Sequence, residues 1–255
     1  MQALKAPYAF RLLGRFRARA ESGSWPQIEG RRLQQLVSYL LLFNDRAHRR
    51  EALSSVLWPD SSPAQARKNL RQSLWLLQRL PARGNEYFPE LLVHDREWVS
   101  VNPATVWVDV AEVENAFRRV RDVRPELLSA EDAGEIMAAV DVYKGDLLEG
   151  WTERWCVDAR DRLRGMYATL LEKLVGYCEA SHRLDTGLAY ADLLLRQDRA
   201  SERAHWRLMR LYHLAGDRTA ALRQFERCRS ALQAELGVEP GRLTRQLYEE
   251  IRRSG

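Results

Sequence analysis

The chain has 255 residues, 45% hydrophobic and 29% charged, a balance that excludes a disordered chain and gives enough length for two compact domains. Its longest apolar stretch, around Val37 to Phe43, is too short to span a bilayer and carries Ser38 and Tyr39. The net charge of +5 is unevenly placed: residues 1–104 hold 16 Lys/Arg against 9 Asp/Glu, and residues 105–255 hold 24 against 26. A basic first part is expected to meet a polyanion, although charge alone does not separate nucleic acid from a membrane surface.

In chain order, Tyr8 to Gly14 carries β-compatible residues and stops at glycine. Phe16 to Arg19 and Trp25 to Glu29 flank the turn composition Glu21-Ser-Gly-Ser24, so a small antiparallel sheet is expected. Leu33, Leu36, Val37, Leu40 and Leu41 then fall at helical spacing, and Asn44-Asp45 ends that helix. A short helix with Leu53, Val56 and Leu57 inward is broken by Trp58-Pro59-Asp60-Ser61-Ser62. Ser62 is placed to cap a third helix with Pro63 at its first position, running to about Leu80 before Pro81. From Glu90 the period changes. Leu91 to His94 and Glu97 to Val101 flank Asp95-Arg96 as a hairpin, and Pro103 marks a boundary. Strands, three helices and a hairpin describe a winged helix-turn-helix over residues 1–104.

Beyond Thr105 the pattern is helical throughout. Val108, Val110, Val113 and Phe117 begin the run, and a segment closes with Val140 and Tyr143 before Gly145. A long amphipathic helix from about Glu153 to Ser181 buries Leu163, Tyr167, Leu170, Leu171, Leu174 and Cys178. Helices follow near 184–197, 201–215 and 218–236, with a last one after Pro240-Gly241. Leu174 and Leu208, Gly187 and Ala221, and Leu188 and Leu222 match at a period of 34, the length of a tetratricopeptide repeat. Neither copy has that repeat's closing proline, and plain helical periodicity is the alternative. The expected fold class is mainly α: a winged-helix domain over 1–104, then an all-α tetratricopeptide-like domain over 105–255.

Chemistry concentrates on the third helix. At 100° per residue, Ala66, Leu70, Ser73, Leu74 and Leu77 share an inward face, while Gln65, Lys68, Arg71, Gln72, Trp75 and Arg79 point outward. Arg and Lys pair with guanine and phosphate, and Gln with adenine. The N-terminal part of a recognition helix enters the major groove deepest. Lys68 and Gln72 are therefore expected on base edges, Arg71 and Arg79 on phosphates, Arg67 and Asn69 at the margins, and Arg96 on the hairpin tip. A solvated basic helix is the alternative reading, and no role is evident for Trp75. Cys156, Cys178 and Cys228 are odd in number and scattered, so buried free thiols are expected rather than disulfides or zinc. The five histidines are dispersed and no hydrolase, P-loop, dinucleotide or zinc-protease motif occurs. Neither catalysis nor a cofactor is expected. With no export signal in Met1 to Phe10, the cytoplasm is the expected compartment.

Leu57-Trp-Pro-Asp60 followed by Ala66-Arg-Lys-Asn-Leu-Arg-Gln72 resembles the OmpR/PhoB-type winged helix of the antibiotic-regulatory activators (SARP family) of actinomycetes. Their bacterial transcriptional activator domain is matched in turn by Val108-Asp-Val110, Tyr143-Lys-Gly-Asp-Leu-Leu-Glu-Gly150, Trp155, Arg162-Leu163 and Tyr167. Leu208-Met-Arg-Leu-Tyr212, Gly216-Asp-Arg218 and Glu235-Leu-Gly-Val-Glu-Pro240 continue the match. The resemblance implies a sequence-specific activator that binds tandem direct repeats of double-stranded DNA as a head-to-tail pair and contacts RNA polymerase, its helical domain organising protein contacts. Gln78 departs from the family's usual arginine, and no receiver or nucleotide-binding pattern is seen, so a signal would act through expression, a partner or the helical domain. The rival reading is a helical interaction scaffold whose winged helix does not read DNA.

Overall fold

The computed structural model describes residues 6–20, 28–79 and 91–254. The chain folds as two compact units, Met1–Ala111 with Lys144–Cys156, and Glu112–Tyr143 with Val157–Gly255, where the sequence suggested a single cut after residue 104.

The first unit opens on a sheet. β1 (Tyr8–Arg11) pairs antiparallel with β2 (Arg17–Ala20). The expected third strand at Trp25 to Glu29 falls mostly outside the described residues. Residues 25–27 lie outside the described residues, and Ile28 and Glu29 are irregular. The third strand of the described sheet is a segment read from sequence as helical. It precedes α4 (Asp109–Val120) as β6 (Val106–Val108) and runs parallel to β1 with Tyr8 opposite Val106 and Phe10 opposite Val108. Between these strands lie α1 (Arg31–Leu42), β3 (His48–Arg49), α2 (Arg50–Leu57), α3 (Pro63–Gln78), β4 (Leu92–His94) and β5 (Trp98–Val101). β3, β5 and β4 form a second antiparallel sheet in that order. Leu33, Leu36, Val37, Leu40 and Leu41 of α1 are buried, as their spacing requires; in α2 Leu53 and Leu57 are buried, but Val56, expected inward, is 40% exposed and Ser54 takes the inward place beside Leu53 and Leu57. This is a winged helix-turn-helix, with α2 and α3 joined at Trp58–Ser62 and β4–β5 as the wing. The expected helix end at Leu80 lies outside the described residues; α3 is seen to Gln78.

Asp109 locks the first sheet. Its carboxylate is fully buried and accepts from the Leu12, Leu13 and Val110 amides at 2.9–3.0 Å. Burial raises its pKa to about 6, although those amides and Arg11 pull the other way. A carboxyl whose pKa is higher in the folded chain adds stability that is complete below the unfolded value of 3.8 and is lost as pH rises through about 6. The loss amounts to about 3 kcal/mol. Urea titrations from pH 4 to 7 are expected to show the wild-type chain losing stability relative to Asp109→Asn across that window. Parallel curves would contradict this account.

A strap from later in the chain completes the unit. Leu13 bridges Leu147, the Leu148 amide donates to Leu12 O at 2.8 Å, and the Glu149 amide donates to Gly14 O at 2.9 Å. Leu147 and Leu148 are fully buried, and Leu148 takes the left-handed φ of 47°, a strain held in place by these bonds. The strap then covers one stripe of α1, where Arg31, Gln35 and Tyr39 stand at i, i+4 and i+8. The Arg31 guanidinium lies 4.0 Å above the Trp151 ring and pairs with Glu153 at 3.2 Å. Gln35 donates to Glu153, and Trp155 meets Tyr39 edge-on at 5.4 Å.

The second unit is all helical. Ser129 and Asp132 form a reciprocal capping box at the start of α5 (Ala130–Val142). α6 (Arg154–Ala180) buries Leu163, Tyr167, Leu170, Leu171, Leu174 and Cys178, as expected. α7 (Leu184–Gln197), α8 (Glu202–Leu214), α9 (Arg218–Leu236) and α10 (Arg242–Arg253) follow. Neighbouring helices approach closely where side chains are small. A Cβ on Gly187 would meet Cys178 Cβ at 3.2 Å, and its counterpart Ala221 is fully buried. Gly216, at φ 78°, turns the chain between α8 and α9. Met209, Ala221, Phe225, Leu247 and Ile251 form the core that joins α8, α9 and α10. His205 is part of this architecture: Gln224 Nε2 donates to its Nδ1 at 2.7 Å, its Nε2 bonds Arg199 O at 3.0 Å, and burial lowers its pKa. All three cysteines are buried free thiols, and burial pushes Cys228 up to about 12.

Candidate nucleic-acid interface

The site is built by α3. Ser62 caps it, its side chain accepting from the Gln65 amide at 3.4 Å, and Pro63 occupies the first turn, where its missing N–H has no helical partner to lose. Ala66, Leu70, Ser73, Leu74 and Leu77 are buried. That stripe turns Gln65, Lys68, Arg71, Gln72 and Arg79 outward, and all are exposed; Asn69 is half-buried.

These side chains are not equally free. Gln65 Nε2 donates to Asn69 Oδ1 at 2.7 Å, so the first turn holds its own amides in register. Arg67 reaches Glu51 of α2 at 3.6 Å. Among the described residues, Lys68, Arg71 and Gln72 engage no ion pair or side-chain hydrogen bond. Three donors on adjacent turns thus stand open to an external acceptor.

Trp75, for which the sequence offered no role, is 49% exposed and carries the Arg79 guanidinium 4.2 Å above its ring. A cation over an exposed aromatic face gains about 0.5–1 kcal/mol, which favours this placement. Arg79 is therefore positioned at the far end of α3, apart from Lys68 and Gln72. Gln78, the departure from the family pattern, bonds the His94 ring, which also lies 3.4 Å from Arg50 Nη2. The residue ties the end of α3 to the wing.

The wing tip is a built turn. Asp95 Oδ1 accepts from the Glu97 and Trp98 amides, both at 2.7 Å, and these bonds hold its carboxyl below the usual aspartate range. Arg96 is exposed at this tip. Arg49, Arg50, Arg67, Arg71 and Arg96, with Glu51 and Glu97, line a cleft of about 700 Å³ between α2, α3 and the wing. Arg50 Nε is buried without a hydrogen-bond partner among the described residues, and the five guanidinium groups that line the cleft favour an anion there. Arg49 and Arg50 escaped the sequence reading because they stand at the end of β3 and the first position of α2, off the α3 stripe. The basic run Arg46-Ala-His-Arg-Arg50 was the available signal.

A helix-turn-helix with a wing, followed by paired helices, defines a winged-helix fold with a tetratricopeptide-like second unit. Residues 108–252 match the bacterial transcriptional activator domain, and the chain belongs to that family. The resemblance to the antibiotic-regulatory activators holds at this level. A solved structure of Mycobacterium tuberculosis EmbR in complex with a low-affinity phosphopeptide is similar in fold, with a TM-score of 0.72 at 20% identity over 97% of this chain and 65% of that one. The chain thus spans about 65% of the length of the EmbR chain. No curated protein sequence matches it. Among the described residues, no helix is long and apolar enough to cross a membrane.

Proposed function

We propose that the chain is a sequence-specific DNA-binding activator. α3 lies in the major groove of double-stranded DNA with Lys68 and Gln72 on base edges, Gln65 and Asn69 beside them, and Arg71 and Arg79 toward phosphates. Arg67 braces α3 against α2, and Arg96 carries the wing to the backbone. The observation that carries this reading is the open Lys68, Arg71 and Gln72 face beside a cleft lined by five arginines. Binding to direct repeats as a head-to-tail pair, and contact with RNA polymerase through the helical unit, follow from the family and belong to the same proposal. The helical unit offers an apolar groove of about 550 Å³ holding Trp206 and Leu243, flanked by Arg203, Arg207 and Arg242, which suits protein contact.

Footprinting on DNA upstream of the gene that encodes the chain is the test. Discrete protected windows one or a few helical turns apart are expected. Absence of protection, with binding to other proteins intact, would favour the interaction-scaffold reading.

A further inference from the structure

Two pairs of side chains stand four residues apart along α3: Gln65 with Asn69, and Lys68 with Gln72. Residues at that spacing are neighbours on a helix surface. Gln65 Nε2 donates to Asn69 Oδ1 at 2.7 Å, whereas Lys68 and Gln72, among the described residues, engage no ion pair or side-chain hydrogen bond. Gln65 is exposed and Asn69 half-buried. The neighbouring Arg67 is drawn to Glu51 of α2 instead.

The tie fixes what the Gln65–Asn69 pair can offer. Each side-chain amide carries one carbonyl acceptor and one NH2 donor. A single bond between them uses the NH2 of Gln65 and the carbonyl of Asn69, and leaves the carbonyl of Gln65 and the NH2 of Asn69 open. Turning both amides over reverses the bond but leaves the same inventory, one open carbonyl and one open NH2. The reciprocal bond that would use them up is not formed among the described residues. The pair therefore presents one donor and one acceptor on a shared frame. In the major groove adenine alone sets a donor beside an acceptor, its N6 amino group next to N7. Guanine sets two acceptors there, cytosine a donor, and thymine an acceptor beside a methyl group. Against guanine the open carbonyl would face another acceptor.

We propose that Gln65 and Asn69 act as one unit that reads a single adenine, each side chain making one of its two contacts. The inference rests on α3 entering the major groove, as proposed above, and assigns this pair a base apart from those met by Lys68 and Gln72. Because the two amides are already joined, less rotamer freedom is lost when the base arrives.

The test uses the full chain and its footprinted duplex, with each A·T pair of a protected window replaced in turn by G·C. One replacement is expected to weaken wild-type binding about tenfold or more, and to leave binding by the double variant of Gln65→Ala and Asn69→Ala nearly unchanged. Two analogues placed at that adenine separate the contacts: 7-deazaadenine lacks the N7 acceptor, and purine lacks the N6 donor. Both weaken wild-type binding. Gln65→Ala and Asn69→Ala are each expected to abolish the penalty of one analogue and keep that of the other. Binding of every variant to an unrelated duplex stays unchanged, which reports a folded chain. Three results overturn the proposal: no A·T pair that separates wild type from the double variant while Lys68→Ala still weakens the site, which leaves α3 in the groove without this reader; one substitution abolishing both penalties and the other neither, which makes a single amide the reader; or equal losses on both duplexes, which put the pair on the phosphate backbone. A chain that protects no discrete site overturns this inference together with the reading it rests on.

Discussion

A fragment ending at residue 104 is expected to show no cooperative unfolding transition, although it contains the whole helix-turn-helix and wing. It lacks β6, so β1 loses its parallel neighbour, and it lacks Asp109, so the Leu12 and Leu13 amides lose their acceptor. Each orphaned buried donor costs about 1–3 kcal/mol. It also lacks the strap, which exposes the α1 stripe that Trp151 and Trp155 cover. Typical domains are stable by only about 5–15 kcal/mol, so these losses together remove the native state. In the full chain, Trp151→Ala alone is expected to cost about 3–5 kcal/mol. Circular dichroism melts of fragment and full chain decide the matter: a fragment that melts cooperatively would show an autonomous domain at 1–104 and contradict this account.

The true extent of the first unit escaped the sequence for a physical reason. Val106–Val108 is three residues long and runs straight into α4, so its apolar positions merge with the helical period. What makes it a strand is pairing with Tyr8–Phe10, at the other end of the unit, and local pattern does not encode that. β3 is shorter still, at two residues. The strap has no periodicity at all, because Gly145, Gly150 and the left-handed Leu148 break it. Long helices were legible because their burial repeats every three or four residues. α6 through α10 fall within a few residues of the expected spans, and the buried side of α6 is the expected one.

The inward and outward faces of α3 were likewise legible, since five buried positions fix its rotation. The meeting of separate elements was not. Arg49 and Arg50 join the cleft through β3 and the start of α2, Gln78 reaches His94 across to the wing, and Arg79 settles on Trp75. None of these has a sequence period. They depend on how α2, α3 and the wing pack together.

Most of the functional reading depends on the outward face of α3 entering a groove and reading bases there. Equilibrium binding of Lys68→Ala, Gln72→Ala and the double variant is the direct measurement, on a footprinted site and on an unrelated duplex of equal length, each across a salt series. Lys68 and Gln72 are exposed, so their removal leaves the helix and its buried stripe intact. Each single substitution is expected to weaken the footprinted site by about 1–3 kcal/mol, roughly 5–150-fold, and the double variant by more. Binding to the unrelated duplex is expected to rest on the arginine cleft. Between about 50 and 200 mM salt it is expected to fall on the order of 10³-fold, with or without the substitutions. Equal losses on both duplexes would move Lys68 and Gln72 to the phosphate backbone, and no loss on either would take α3 out of the groove.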